Sequence, residues 1–257
     1  MGIVSGKNIL ITGVLTDASI AFHIARICQE EGANIVLTSH GRAMSITERI
    51  AGRLPNPPKV LELDVTNDEH LNTLADRVRP ILPHLDGVVH SIGFAPTAAL
   101  GGNFLNTEFA DVSTAIHVST YSYKSLTMAC KPLFNSDKGA SVVGLTFDAT
   151  VAWSKYDWMG IAKAGLESAN RYLAKYLGPE NIRFNLIAAG PLATIAAKHI
   201  PDFQQFETLW NEKSPMHWDT KDPVPAALGA VALLSDFFPK TTGEIIHVDG
   251  GVHAHGG

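Results

Sequence analysis

Short apolar runs alternate with stretches of helical periodicity along most of the chain. Each run is apolar at consecutive positions, which is typical of parallel strands that are buried on both faces. Seven strands are predicted, near residues 8–12, 34–38, 59–64, 86–91, 140–146, 182–188 and 243–248. Helices are predicted near residues 19–31, 42–53, 68–80, 109–134, 157–176 and 223–236.

Strands separated by helices predict an α/β protein with a Rossmann-like, doubly wound sheet of seven mostly parallel strands. In this fold the ligand crevice lies beyond the carboxyl ends of the strands. The sequence contains no internal repeat, low-complexity tract or linker, so we expect residues 1–257 to form one dinucleotide-binding domain. Within it, we expect residues 194–215 to form a small helical cover over the substrate.

The composition excludes several classes of protein. Hydrophobic residues make up 46% of the 257 positions and charged residues 18%, which argues against disorder. The formal net charge is -5 and the sequence has no Lys/Arg cluster, so no positively charged surface for nucleic acid is expected. The chain lacks both a signal-peptide pattern and an apolar run of about 20 residues. We therefore expect a cytoplasmic protein without nucleic-acid or membrane partners.

The cysteines and histidines give no sign of a metal site. Cys28 and Cys130 are far apart in predicted helices, and we expect both to be buried free thiols. The 11 histidines are scattered, and no pair has the spacing of metal ligands. No bound metal is expected.

The first predicted strand runs into a helix through a turn that contains a single glycine. Gly13 permits a tight turn, and Ser19 either caps the helix or offers its hydroxyl to a phosphate. The free N–H groups and positive dipole at a helix start favour a pyrophosphate there. A helix cap and a phosphate ligand account equally well for a serine at position 19.

Other strand ends carry further candidate ligands. Asp64 can accept a hydrogen bond from an adenine amino group or cap the next helix, and the backbone at Ser91 and Gly93 can approach a ribose closely. The second strand ends without the acidic residue that is typical of NAD sites. Arg42 nearby either binds the 2′-phosphate of NADPH or is a solvent-exposed residue without a ligand. These residues therefore do not decide between NADH and NADPH as the cofactor.

Tyr156 and Lys163 are the candidate chemical groups. They are seven positions apart, about two helical turns, and on one continuous helix they would share a face. A phenol and an ammonium placed in this way can serve as a hydrogen-bond donor and a cation that binds hydroxyl groups. The alternative is that Tyr156 and Lys163 only lie on a half-exposed helix face and have no function. This alternative is open because short motifs often match by chance.

Together these features resemble the short-chain dehydrogenase/reductase superfamily, and within it the enoyl-acyl-carrier-protein reductases. That branch has Gly-x5-Ser-x-Ala after its first strand, matched here by Gly13, Ser19 and Ala21. It also has Tyr-x6-Lys in place of the usual Tyr-x3-Lys, matched by Tyr156 and Lys163. The resemblance extends over essentially the whole chain.

Three further positions refine the resemblance. Gly160 stands where Tyr-x3-Lys would place its lysine, and Val143 stands where carbonyl-reducing members have a catalytic serine. Phe147 is a tyrosine in many bacterial enoyl reductases and a phenylalanine in the mycobacterial type, the isoniazid target. The stretch 11–26 also resembles the actinobacterial type, whereas the compact segment 195–215 resembles ordinary bacterial enoyl reductases.

The resemblance implies NADH-dependent reduction of trans-2-enoyl thioesters, carried by acyl carrier protein or coenzyme A, in fatty-acid synthesis. Tyr156 would stabilise the enolate, Lys163 would hold the nicotinamide ribose, and Phe147 and Met159 would line the substrate site. Relatives with this plan are homotetramers, so we expect a homotetramer. The implied cofactor-binding residues are Gly13, Ser19, Ile20, Asp64, Val65, Ser91, Ile92, Gly93, Lys163, Leu192 and Thr194.

Two alternatives remain. One is a different carbonyl or alcohol oxidoreductase on the same fold, against which Val143 and the wide Tyr–Lys spacing argue. The other is a catalytically silent regulator that binds a dinucleotide. An amphipathic cluster at 203–210 either covers the acyl chain or packs the core; its members are Phe203, Phe206, Leu209 and Trp210.

Overall fold

The computed structural model describes residues 2–135, 137–194, 197 and 202–255. Within them, parallel strands form one seven-stranded sheet in the order β3-β2-β1-β4-β5-β6-β7. The predicted Rossmann-like class is confirmed, and every strand pair is parallel rather than most of them. The strands are β1 (Asn8–Thr12), β2 (Asn34–Ser39), β3 (Val60–Glu62), β4 (Gly87–His90), β5 (Ala140–Thr146), β6 (Ile182–Ala189) and β7 (Ile245–Val248).

Helices connect the strands and cover both faces of the sheet. No helix among the described residues is long and apolar enough to span a bilayer. The α-helices are α1 (Ile20–Glu30), α2 (Met44–Ala51), α3 (Asp68–Asn72), α4 (Leu74–Val78), α5 (Phe109–Ile116), α6 (Ser122–Cys130), α7 (Asp157–Leu177), α8 (Gln204–Lys213) and α9 (Val224–Leu234).

Two predicted helices are interrupted. The helix predicted near 68–80 divides at Thr73, whose hydroxyl donates to the Glu69 carbonyl oxygen at 2.8 Å; such bonds back to the preceding turn bend helices. The helix predicted near 109–134 contains a π-helical turn at 117–121 between α5 and α6. π-Helical turns are rare and occur frequently at functional sites.

Alternate residues of the strands point to opposite helical layers, as the two-residue period of a strand requires. In β1, Ile9 and Ile11 pack in the layer that contains α1 and α9. Leu10 between them packs in the layer that contains α6 and α7. Cys28 and Cys130 are free and buried, one in each layer, as predicted.

Candidate active site

A cavity of about 400 Å³ opens at the carboxyl edge of the sheet. All strands run in one direction, so the residues that follow β1, β4, β5 and β6 meet there. The chain order reverses between β1 and β4, and the crevice at such a reversal is where doubly wound folds bind ligands. The starts of α1 and α7 complete the walls.

Most of the predicted site residues line this cavity. They are Gly13, Ser19, Ile20, Ser91, Ile92, Gly93, Phe147, Tyr156, Met159, Lys163, Leu192 and Thr194. Asp64 and Val65 are not among its lining residues. The Asp64 carboxylate accepts from the backbone N–H and hydroxyl of Thr66 at 2.9 and 2.7 Å. The proposed cap role of Asp64 is wrong, because Asn67 caps α3.

Gly13 brings the end of β1 against the end of β4. Its φ angle is +81°, and a Cβ atom there would lie 1.9 Å from the Ser91 carbonyl oxygen, so only glycine fits. The Thr12 hydroxyl joins the same strand ends, since it donates to the Val89 carbonyl and accepts from the Ser91 N–H. The floor of the cavity at this point is bare, tightly fixed backbone.

Ser19 is the cap of α1. Its hydroxyl donates to the Thr16 carbonyl oxygen at 2.6 Å and accepts from the Phe22 N–H at 3.3 Å. The cap interpretation is therefore confirmed, and the hydroxyl proton is used within the turn. Because Ser19 and Ile20 both line the cavity, the N-terminal end of α1 faces it. A helix start in this position favours an anion.

Tyr156 lies immediately before α7, which begins at Asp157. Tyr156 is thus the cap position rather than part of the helix, and Asp157 after it has a φ of +41°, so the two residues do not lie on one regular helix as expected. The side chains of Tyr156 and Lys163 nevertheless line the same cavity. Burial raises the pKa of the Tyr156 phenol above its ordinary value. The side chain therefore stays protonated and can act as a hydrogen-bond donor.

The backbone around Tyr156 is strained. Lys155 and Asp157 have φ angles of +61° and +41°, which non-glycine residues rarely adopt. The loop at 101–103 holds this conformation: the Gly101 N–H donates to the Lys155 carbonyl oxygen at 3.0 Å. The next two N–H groups of the loop donate to the Asp157 carboxylate at 2.6 and 3.1 Å. These contacts fix the direction in which the phenol points.

Lys163 is buried with its ammonium at the end of β5. Its Nζ donates to the Leu145 carbonyl oxygen at 2.9 Å, which uses one of its three protons. Burial lowers its pKa to about 8, and the charge of Glu167 opposes that shift. A Cβ atom on Gly93 would lie 3.6 Å from Nζ, so the absence of a side chain there leaves the ammonium open to the cavity.

Phe147 forms an apolar wall beside Tyr156, with the two ring centroids 5.4 Å apart and the planes at 68°. Behind it lie Trp153, Phe206 and Trp210, with centroid distances of 5.1, 5.6 and 5.6 Å. Phe147 is therefore both a cavity wall and part of an aromatic core, so the two interpretations from the sequence hold together. Of the predicted cover, Phe203 and Phe206 line the cavity.

The two positions that distinguish the branch have clear structural consequences. Val143 is fully buried inside β5 and packs in the α1–α9 layer, so its side chain does not face the cavity. Gly160 lies one helical turn after Tyr156, and a Cβ atom there would touch the tyrosine ring at 3.7 Å. A long side chain at 160 would begin against that ring.

Sequence patterns missed several residues that shape the site. Ser119, in the π-helical turn, donates to the Phe94 carbonyl oxygen at 2.8 Å and accepts from the Phe94 N–H at 2.9 Å. Thr120 next to it donates to the Ala162 carbonyl oxygen in α7 at 2.6 Å. Glu167 was also missed, although its position four residues after Lys163 placed it on the same helix face.

Comparison with known proteins gives full-length similarity. Residues 13–253 match the family model described as enoyl-(acyl carrier protein) reductase. The enoyl-[acyl-carrier-protein] reductase [NADH] of Mycolicibacterium smegmatis is 47% identical over 97% of each chain, and that of Mycobacterium avium is 44% identical over 97% of each. The Escherichia coli enzyme with the same description is 36% identical over 98% of this chain and 95% of its own.

Proposed function

The chain belongs to the enoyl-acyl-carrier-protein reductase family, and from that premise we propose that it reduces trans-2-enoyl thioesters of fatty-acid synthesis with NADH. The observation that carries the proposal is one cavity in which a buried phenol, a buried ammonium and an apolar ring meet, at Tyr156, Lys163 and Phe147. The mycobacterial and Escherichia coli relatives are described as NADH enzymes, which supports this choice of cofactor.

The residues at the carboxyl edge fit a dinucleotide. The bare backbone at Gly13 and the N-terminal end of α1 at Ser19 and Ile20 suit a pyrophosphate, which needs close approach and a positive dipole. Leu192 and Thr194 face them from the chain that follows β6. Gly93 leaves room beside Lys163 for ribose hydroxyl groups. When bound, NADH supplies the hydride that reduces C3 of the enoyl chain.

Tyr156 stabilises the negative charge that develops on the thioester oxygen when hydride adds to C3, and C2 of the resulting enolate then takes a proton from solvent to give the saturated thioester. Its phenol is protonated because burial raises its pKa, and a donor aimed at a developing oxyanion lowers the barrier by about 3 kcal/mol. The contacts of Asp157 with the loop at 101–103 fix this donor before the substrate arrives. No reorganisation is then needed during the reaction.

Lys163 orients the cofactor through its ammonium. A compact cation with three protons suits the two hydroxyl groups of a ribose, and Leu145 occupies one of those protons. Holding the reacting carbons close together removes much of the entropic barrier to hydride transfer. Asp64 and Val65, near the end of β3, are proposed to contact the adenine end.

Phe147 and Met159 form the substrate side of the cavity. We assign the acyl chain to the space covered by the segment 194–215. Its cavity-lining residues are Thr194, Ala197, Phe203 and Phe206, and residues 195, 196 and 198–201 lie outside the described residues. The printed names of the relatives support acyl carrier protein as the carrier. Coenzyme A thioesters are suitable probes because they present the same reacting group.

A homotetramer is proposed for the assembly. Large apolar side chains are exposed on helices α5, α7 and α9 and in the π-helical turn, namely Phe109, Tyr121, Tyr172, Tyr176 and Leu228. Tyr172 and Tyr176 stack on one another with ring centroids 6.5 Å apart, and exposed apolar patches frequently mark protein–protein interfaces. Light scattering of the purified protein tests the proposal, and a monomeric mass at micromolar concentration contradicts it.

The activity is tested by following NADH absorbance with crotonyl and 2-octenoyl thioesters. We expect NADH to be consumed and the saturated acyl thioester, heavier by two hydrogen atoms, to be the product in mass spectrometry. A protein that binds NADH but is inert with both substrates is not this reductase, and is either an oxidoreductase for another substrate or a dinucleotide-binding regulator.

A further inference from the structure

Glu167 is a buried carboxylate one helical turn beyond Lys163 on α7. Only 6% of the residue is exposed. One oxygen, Oε1, accepts from the Thr146 hydroxyl at 3.1 Å and from the Ala149 N–H at 3.2 Å. Thr146 and Ala149 lie on either side of Phe147 in the chain. A single carboxylate oxygen therefore fixes the backbone both before and after the aromatic wall of the cavity.

Lys163 makes a matching contact one turn earlier, from its Nζ to the Leu145 carbonyl oxygen at 2.9 Å. Residues four apart on a helix lie on the same face. Lys163 and Glu167 thus attach the strand end at 145–149 to α7 through three hydrogen bonds. Phe147 lies within the attached segment, and its ring meets that of Tyr156 edge-on at 5.4 Å.

The charge of Glu167 acts on the same ammonium. Burial lowers the pKa of Lys163, and the Glu167 carboxylate raises it. Burial in turn raises the pKa of Glu167, while its two hydrogen bonds lower it. The other groups that face this pair are Asp148 on the loop after β5, Arg171 on α7 and His90 at the end of β4. His90 is neutral, because burial and Lys163 lower its pKa to about 3.

We propose that Glu167 is a positioning residue for the reaction: its two hydrogen bonds hold Phe147 beside Tyr156, and its carboxylate, one helical turn from Lys163 on the same helix face, is the counter-charge of that ammonium. A neutral amide satisfies the two donors as well as a carboxylate does, so hydrogen bonding alone does not require a charge at 167. A buried charge is costly unless it is paired or hydrogen-bonded. The two hydrogen bonds and the positive charge of Arg171 offset that cost for Glu167. This inference rests on the proposed function in two respects: it assigns Lys163 to the cofactor, and it measures the placement of Phe147 through turnover of an enoyl thioester.

Two variants separate the two roles. Glu167→Gln keeps an oxygen acceptor for Thr146 and Ala149 but removes the charge, whereas Glu167→Ala removes both. NADH affinity is measured by fluorescence titration from about pH 6 to about pH 10, together with kcat and KM for a 2-octenoyl thioester. For Glu167→Gln, we expect the pH at which NADH affinity is lost to fall by about one unit, with kcat nearly unchanged at the acidic end.

For Glu167→Ala, we expect the same shift and, in addition, a kcat lower by about tenfold at every pH, because Phe147 is released. Thr146→Val provides a second measurement if the alanine variant does not fold. In this variant kcat should fall, while the NADH midpoint, defined as the pH at which NADH affinity is lost, should stay unchanged. Glu180→Gln is the matched control, since this exposed carboxylate lies beyond the end of α7 and pairs with Lys131.

An NADH midpoint in Glu167→Gln equal to that of the unmodified protein overturns the electrostatic role. A kcat in Glu167→Ala equal to that in Glu167→Gln overturns the positioning role. Failure of the proposed function is distinguishable from either result. In that case the unmodified protein turns over no enoyl thioester, while the NADH titrations still report on Glu167 and Lys163.

Discussion

The ammonium of Lys163 donates to the carbonyl oxygen of Leu145 at 2.9 Å, so the candidate cofactor-binding cation is attached to the end of β5, two residues before the Phe147 wall of the cavity. This hydrogen bond holds the ammonium in one position, and the Lys163 side chain is buried there. Burial lowers the pKa of Lys163 to about 8. The group is therefore charged below about pH 8 and neutral above it.

The first prediction concerns pH. Since the proposed role of Lys163 needs the cation, NADH affinity should be greatest below about pH 8 and decrease as pH rises through that value. Lys163→Ala should weaken NADH binding below pH 8 and flatten its dependence on pH above it. Fluorescence titration of NADH at a series of pH values measures both effects. Equal affinity of the two proteins at all pH values would remove Lys163 from its proposed role.

The second prediction concerns the Tyr156 phenol. Tyr156→Phe keeps the ring that packs against Phe147 but removes the hydroxyl. We expect kcat for an enoyl thioester to fall by about 100-fold, corresponding to ~3 kcal/mol of lost stabilisation, while the Kd for NADH stays unchanged. A catalytically silent regulator would not need the hydroxyl. If Tyr156→Phe keeps every NADH-dependent effect of the unmodified protein, the regulator hypothesis is favoured.

The third prediction concerns the strained turn before α7. Asp157→Ala removes the carboxylate that accepts the two N–H groups of the loop at 101–103. The Tyr156 hydroxyl then loses its fixed direction, and kcat should decrease by about tenfold, or ~1.4 kcal/mol. Asp157→Asn, which retains an oxygen acceptor, should restore most of the rate. If both variants have the activity of the unmodified protein, the loop contacts have no part in positioning Tyr156.

The fourth prediction concerns Gly13. Gly13→Ala places a Cβ atom on the Ser91 carbonyl oxygen and also strains a backbone with φ of +81°. We expect NADH affinity to fall by at least tenfold and the Tm to decrease. Gly6→Ala is the control, because Gly6 has a similar φ of +74° with no atom within 4 Å of the added Cβ. Equal effects of the two substitutions would assign the loss to backbone strain alone.

The sequence predicted the strands well because parallel strands buried on both faces are continuous apolar runs. It predicted a single long helix through 117–121, where the structure has a π-helical turn. Ser119 and Thr120 in that turn bond to Phe94 and to Ala162, which are distant in sequence. A helical period carries no information on such partners, so the interruption was not predictable from it.

The candidate site was predictable where the backbone conformation requires a particular residue type, as at Gly13, whose positive φ and close contact with Ser91 require glycine. It was not predictable where the chain adopts an unusual form with ordinary residues. Lys155 and Asp157 have positive φ angles without being glycine, and the loop that stabilises them lies more than 50 positions earlier. Glu167 had a suitable position on the helix face, but its burial follows from the path of the strand end at 145–149.

We expect this site to reduce a carbon–carbon double bond and not a ketone. Val143, at the position that the resemblance aligns with the catalytic serine of carbonyl-reducing members, is fully buried in the sheet core, and the side chain beside Tyr156 in the cavity is the apolar ring of Phe147. The most direct measurement compares kcat/KM for a trans-2-enoyl thioester and a 3-ketoacyl thioester of equal chain length on the same carrier, with NADH. We expect rapid NADH oxidation with the enoyl substrate and none with the ketone. Turnover of the 3-ketoacyl thioester without turnover of the enoyl thioester would show instead that the site reduces carbonyl groups.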